Sequence, residues 1–213
     1  MRLAELSERS GVSTATIKYY LRERLLQQGE RITATQSEYG EEHLRRLRLV
    51  RALIQVGRMP VATAREVLEA AEDESLSEHM RMGAAIFGLP HGPEPAEETP
   101  ETVRARQHVD ALLDRLDWSY GREIGDASPA YRTLIESVAS LARLGYPHDT
   151  DHLLPYARLA SQLAVEELDV IEKYSTLSER IEAAVALTVL YEPVLLSLRR
   201  LAQTEESGRR IKE

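Results

Sequence analysis

From residue 41 to the C-terminus, apolar side chains recur at three- and four-residue intervals and nowhere alternate one by one with polar ones. That spacing is the mark of amphipathic helices, and its persistence restricts the chain to a mainly all-α fold. It predicts a helix over 41–56, where Leu44, Leu47, Val50, Leu53 and Val56 share a face and Gly57 ends the run. Another begins near Pro60, with Ala64, Val67, Leu68 and Ala71 behind it; proline suits a first turn, where its missing N–H has no partner to lose. Further helices are expected over 76–87, 101–118, 129–144, 152–174 and 178–203, separated by Gly121, Gly125, Gly145-Tyr146-Pro147 and Ser175. One stretch cannot be a continuous helix or a central strand: Gly88 to Pro100 holds Pro90, Gly92, Pro93, Pro95 and Pro100 among acidic residues, and reads as a linker. The expected organisation is a first domain over 1–75, a short helix and acidic linker over 76–100, a helical domain over 101–205, and a polar tail over 206–213.

The first 40 residues are punctuated differently. Leu3 to Arg9 predicts a short helix, broken by Ser10-Gly11-Val12-Ser13. Gly11 can supply the positive φ of a tight turn, and Ser13 is a plausible N-cap for a second helix over Thr14–Glu23. Helix, short glycine turn and helix is the helix-turn-helix pattern. Leu25 to Tyr39 has no helical period, but carries Gly29 and a polar run that suit a small β-ribbon, or wing.

The 213 residues include no cysteine, which excludes disulfides, thiolate metal sites and a cysteine nucleophile. No apolar run is expected to reach the ~20 residues of a membrane span, and no signal peptide precedes the first helix. A cytoplasmic location follows as the expectation. Net charge is −8, but it divides into +3 over residues 1–71 and −11 over the rest. A mildly basic head on an acidic body is what a DNA-reading module joined to a non-DNA domain carries; chance unevenness is the bland alternative.

The second helix opens on Ser13-Thr14-Ala15-Thr16-Ile17-Lys18-Tyr19-Tyr20. Small hydroxyls and a lysine at a helix N-terminus can reach base edges or phosphates from within a major groove. Lys18 and Arg22, four apart, share its outward side, while Ile17, Tyr20 and Leu21 face inward. The wing offers Arg31, Thr33, Thr35, Gln36 and Tyr39 to flanking backbone. The candidate DNA contacts are therefore Ser13, Thr14, Thr16, Lys18, Tyr19, Arg22, Arg31 and Tyr39. Arg45, Arg46, Arg48 and Arg51 read either as the solvated side of a helix or as phosphate contacts.

These residues resemble the MerR family of transcription regulators. The resemblance rests on Leu3-Ala4-Glu5-Leu6, Ser10-Gly11-Val12-Ser13, Thr16-Ile17-Lys18-Tyr19-Tyr20, Leu25-Leu26, Tyr39 and Leu44-Arg45-Arg46-Leu47-Arg48-Leu49-Val50-Arg51, and covers about residues 1–75. It implies a winged helix-turn-helix that binds palindromic operators between promoter elements as a dimer, and in many members distorts the DNA so that RNA polymerase can engage. It also implies that Thr14, Thr16, Lys18 and Tyr19 are recognition-helix contacts, with Arg31 and Tyr39 near the wing. Two departures stand out. Arg24 occupies a position where the family usually has glycine, and the wing is poor in arginine.

The C-terminal body is expected to bind an effector and to dimerise through its two long helices, an arrangement resembling TetR-type ligand-binding domains in architecture alone. Trp118, Tyr131, Tyr156, Tyr191 and Glu192 are the candidate ligand residues. Glu192 lies in an apolar run, where a carboxylate is costly without a partner, and Pro193 is expected to kink the helix. A Glu facing an Arg on a neighbouring helix is the plainer reading of that carboxylate. His148-Asp149-Thr150-Asp151-His152 has a spacing that tempts a metal reading, but Asp149 after Pro147 is better placed as a helix cap. No metal, cofactor or enzyme motif is expected. The expected function is a ligand-responsive, DNA-binding transcription regulator whose partners are double-stranded DNA, a second copy of itself, a small-molecule effector and RNA polymerase. An effector-free architectural DNA-binding protein is the alternative.

Overall fold

The computed structural model of the chain describes residues 1–33, 36–89 and 98–211. Thr35 of the expected wing and Pro90, Gly92, Pro93 and Pro95 of the expected linker lie outside them. The described chain is mainly helical, with one two-stranded antiparallel ribbon.

Two short helices come first. α1 spans Leu3–Ser10 and ends at Gly11, whose φ of 66° places it in the left-handed region that glycine reaches without strain. Ser7 Oγ donates to the Val12 carbonyl at 2.6 Å, bracing the turn. α2 spans Thr14–Arg22, and its cap is Ser13, whose Oγ accepts the Thr16 N–H at 3.1 Å. Leu6, Ile17 and Tyr20 point into one core. The ribbon follows, with β1 over Glu30–Thr33 and β2 over Gln36–Glu38. Glu30 pairs with Glu38, Arg31 with Ser37 and Thr33 with Gln36, across a one-residue irregularity. Gly29 is required there: any Cβ would overlap the Glu38 carbonyl oxygen and lie 2.9 Å from Tyr39 Cε1.

α3 runs over Glu41–Arg51 and continues as a π-helical turn over Ala52–Val56, so the predicted helix holds its length but widens in its last turn. α4 spans Val61–Glu72, and α5 spans Glu78–Phe87, capped by Ser77. Leu44, Leu47, Val50 and Leu53 meet Val67 and Leu68 in the core that already holds Leu6 and Ile17. Each fully buried leucine there contributes about 2 kcal/mol over leaving it in water.

The remaining helices are α6 (Pro100–Arg115), α7 (Ser119–Ile124), α8 (Pro129–Arg143), α9 (Thr150–Ile171) and α10 (Leu177–Arg210). α6 opens on a reciprocal cap between Thr99 and Thr102. Val109, Leu113, Ile135 and Val138 join α6 to α8, with Tyr131 donating its hydroxyl to Asp110 at 2.6 Å. Leu154 and Ala157 of α9 rest on Leu112. Beyond them α9 leaves Leu159, Val165 and Leu168 exposed.

The chain divides into two compact units, and the division departs from the expected boundaries. One unit is Met1–Leu89 together with Ile171–Glu213; the other is Pro90–Val170. α10 belongs with the first because Ile181 and Val185 complete the core of α3, α4 and the π turn, while Ala183 and Ala184 pack with Ile171 near Met82. Helical periodicity shows which face of α10 is apolar, but not which element covers it. α10 is also longer than predicted and runs through Pro193 without a break. Against the expectation from composition, it is long and apolar enough to cross a membrane by length and hydropathy. The cause is two successive apolar faces on one helix: Ile181, Ala184 and Val185 are buried, whereas Val194, Leu195, Leu198 and Leu201 are exposed.

Candidate nucleic-acid interface

The outer edge of α2 is open to solvent. Thr14, Ala15, Lys18 and Arg22 are exposed, at spacings that keep them on one side, while Ile17 and Tyr20 are buried behind them. Ser13 is exposed but committed to its cap, and its Oγ lies 2.8 Å from the Thr16 hydroxyl. Tyr19 is half-buried, its ring 5.9 Å from that of Tyr20 and 5.2 Å from the Arg22 guanidinium. Arg22 Nε also reaches Glu23 at 3.4 Å. Burial pushes the Tyr20 hydroxyl pKa upward, in keeping with a structural role.

Between α2 and the ribbon lies a concave site of about 460 Å³, lined by Arg2, Leu3, Lys18, Leu21, Gln36 and Tyr39 among others. Arg2 donates to Gln36 Oε1, so the segment before α1 is tied to β2. Two basic side chains therefore border a groove of mixed polar and apolar lining. Arg2 was absent from the candidates; a single arginine ahead of the first apolar residue gives no pattern to detect. Arg31 is exposed on β1, as a wing contact requires.

Tyr39 differs from its expected place. It is only 6% exposed, its ring meets His43 edge-on at 5.2 Å, and its N–H donates to the Met1 carbonyl at 2.9 Å. The ring is drawn inward because it follows the strand directly and covers the start of α3. It anchors the ribbon and shows only its margin to the groove. The Gly40 N–H donates to His43 Nδ1 at 3.0 Å, closing the same corner.

The arginines of α3 separate by role. Arg45, Arg48 and Arg51 are exposed, and Arg51 reaches the carbonyls of Ser10 and Gly11 at 3.5 and 3.4 Å, holding the turn between α1 and α2. Arg46 is buried, neither solvated nor free for phosphate: its Nε donates to the Leu25 carbonyl at 3.1 Å, and its guanidinium lies 2.8 Å from Glu72 and 3.7 Å from Glu182. Burial lowers the Arg46 pKa and raises that of Glu182, each partly offset by the other's charge. A signal existed in the sequence, since Arg46 shares the four- and seven-residue spacing of buried Val50 and Leu53.

The candidate ligand residues are dispersed. Tyr131 is a core residue beside half-buried Trp118, and Tyr156 is 62% exposed on α9. Tyr191 and Glu192 belong to the other unit, both exposed on α10. In 148–152, His152 N–H donates to Asp149 Oδ1 at 3.0 Å, which is a capping geometry, and hydrogen bonds from His152 hold the Asp149 carboxyl below its usual range.

A capped, outward-facing second helix beside a two-stranded ribbon and a basic groove defines a winged helix-turn-helix DNA-binding protein. Residues 1–71 match the MerR HTH family regulatory protein model. The crystal structure of SCO5550 from Streptomyces coelicolor A3(2), a protein assigned as a transcriptional regulator, is 52% identical over 100% of this chain and 99% of that chain, with a TM-score of 0.86. No curated protein matches the chain. The chain belongs to the MerR family, and it is a DNA-binding transcription regulator.

Proposed function

We propose that the protein binds a palindromic operator in the cytoplasm as a homodimer, and that a small-molecule effector governs that binding. Thr14, Lys18 and Arg22 enter the major groove from the open edge of α2, with Ser13 and Thr16 at its start and Tyr19 beside them. Arg31 and the basic groove at Arg2 engage the flanking backbone. RNA polymerase is the partner at the promoter, as in the family.

The observation that carries the dimer is the C-terminal half of α10. Tyr191, Val194, Leu198 and Leu201 follow at intervals of three, four and three, which is the a/d seam of a two-helix coiled coil, and they are 39–66% exposed. A contiguous apolar stripe on a single chain calls for cover. A two-fold partner supplies it and places two α2 helices on a two-fold operator. α9 also leaves Leu159, Val165 and Leu168 uncovered, though at spacings that spread them around the helix rather than along one face.

Leu198→Asp in the full chain tests this. Leu198 is exposed, so the fold survives the change. Light scattering is expected to give twice the chain mass of 24.0 kDa for the parent and one chain mass for the variant, with loss of operator binding. A dimeric variant with intact DNA affinity would remove α10 from the interface.

A further inference from the structure

α3 and α10 border a second, open cavity of about 290 Å³ within the first unit. Its apolar surface comes from Leu49 and Ala52 on one side and Ala183, Ala186 and Leu190 on the other, with Tyr174 at the rim. Arg45 and Arg48, one turn apart on α3, also line it. Among the described residues neither arginine makes an ion pair, although the charge of Arg45 bears on both Glu179 and Glu182. The two carboxylates of the lining are already committed: Glu179 accepts the Thr176 N–H at 3.2 Å, and Glu182 faces Arg46 at 3.7 Å.

We propose that this cavity is the effector site and that its ligand is a small amphipathic monocarboxylate. The proposal rests on the effector-responsive reading above and names the place and the chemistry. Guanidinium groups that lack an ion-pair partner, Arg48 above all, select beside apolar walls a carboxylate head on an apolar body, because the head gains charge-assisted hydrogen bonds while the body leaves water. The volume stands at the low end for ligand sites, which fits a body of one or two rings or a medium chain. Glu179 and Glu182 line the same cavity, so a second anionic group on the ligand meets repulsion.

The same geometry connects the cavity to α2. Glu182 lines the cavity and pairs with Arg46, and Arg46 holds the Leu25 carbonyl just beyond the end of α2. A ligand that shifts Glu182 therefore acts on the group that seats the turn after the DNA-facing helix. Binding of ligand and of operator must then be linked reciprocally.

Calorimetric titration of the full-length protein with 2-naphthoate and decanoate tests the proposal, with neutral 2-naphthamide as comparator. The expected result is one saturable site per chain for the acids, and at least tenfold weaker binding of the amide. The double variant Arg45→Gln/Arg48→Gln should weaken the acids at least tenfold; both positions are exposed, and an unchanged melting temperature confirms an intact fold. Equal binding of acid and amide, no effect of the double variant, or no binding at all (the outcome if a second chain fills the cavity) overturns the proposal. Operator binding by the ligand-free protein is measured separately. Its loss would count against the regulator reading, whereas silent titrations with intact operator binding would remove the cavity alone.

Discussion

Arg46 of α3 and Glu182 of α10 face each other at 3.7 Å across the core of the first unit, and the guanidinium also holds Glu72 at 2.8 Å and the Leu25 carbonyl at 3.1 Å. Four separate stretches of chain thus meet at one buried cation. Such an arrangement resists the loss of one member more than it stabilises the whole, because each remaining group keeps its desolvation cost. Arg46→Ala is expected to destabilise the protein by about 3 kcal/mol in denaturant melts, since it leaves the Leu25 carbonyl and the largely buried Glu182 carboxylate without their partner. A change under 1 kcal/mol would show that water replaces the guanidinium.

The same cluster gives a pH dependence with a definite sign. Burial raises the Glu182 carboxyl above its ordinary value, so the folded state holds its proton more tightly than the unfolded chain does. Its stabilising contribution is fully present below the unfolded carboxyl pKa of about 4.3 and is lost as pH rises through the folded value. Glu182→Gln should therefore flatten the fall in stability between about pH 4 and 7. Melts across that range in parent and variant settle the sign.

Gly57 closes the π turn directly beneath α10. A Cβ there would overlap Val189 Cγ1 and lie 2.7 Å from the Leu53 carbonyl oxygen. Gly57→Ala is expected to cost about 1–3 kcal/mol, as overpacked cores do. Adding Val189→Ala should recover part of the loss. No recovery would place the strain in the π turn rather than between the two elements.

Arg24 holds a φ of 59°, in the left-handed region, at the position where resemblance to the family led one to expect glycine. A side chain there costs about 1 kcal/mol relative to glycine. Arg24→Gly should raise stability by that order while removing a cation next to the proposed interface. A rise in stability with unchanged operator affinity would mean that the arginine is tolerated rather than used; a fall in affinity would give it a phosphate contact.

Lys18 is exposed on the outer edge of α2 and borders the groove at Arg2. Lys18→Ala should weaken operator binding and reduce the slope of log affinity against log salt by about one unit, the signature of one lost phosphate contact. Arg2→Ala should do the same and also loosen β2, since Gln36 loses its donor. Equal slopes for parent and variants would take both residues out of the interface.

Much of this molecule was readable along the chain. The turn at Ser10-Gly11-Val12-Ser13, the cap at Ser13 and the outward edge of Thr14, Lys18 and Arg22 all follow from interactions within a few residues, and the structure holds them as expected. The helices after residue 40 begin close to their punctuation for the same reason: a Thr, Ser or Pro at a first turn satisfies or removes donors locally. The aromatic set in the C-terminal body was not readable in that way. Tyr131 went to a core, Tyr156 to the surface and Tyr191 to a different unit, because an aromatic side chain is equally at home in each setting.

Hydrophobic period and capping chemistry, both local, were thus sufficient for the helices and for the outward edge of α2. Partner choice was not local. That α10 returns to the first unit, that Arg46 is buried while Arg45 and Arg48 stay open, and that Tyr39 turns inward all depend on which distant surfaces meet. An amphipathic face records that it must be covered; what covers it is set by the free energy of the assembled core, in which shape and charge from residues far apart are matched at once.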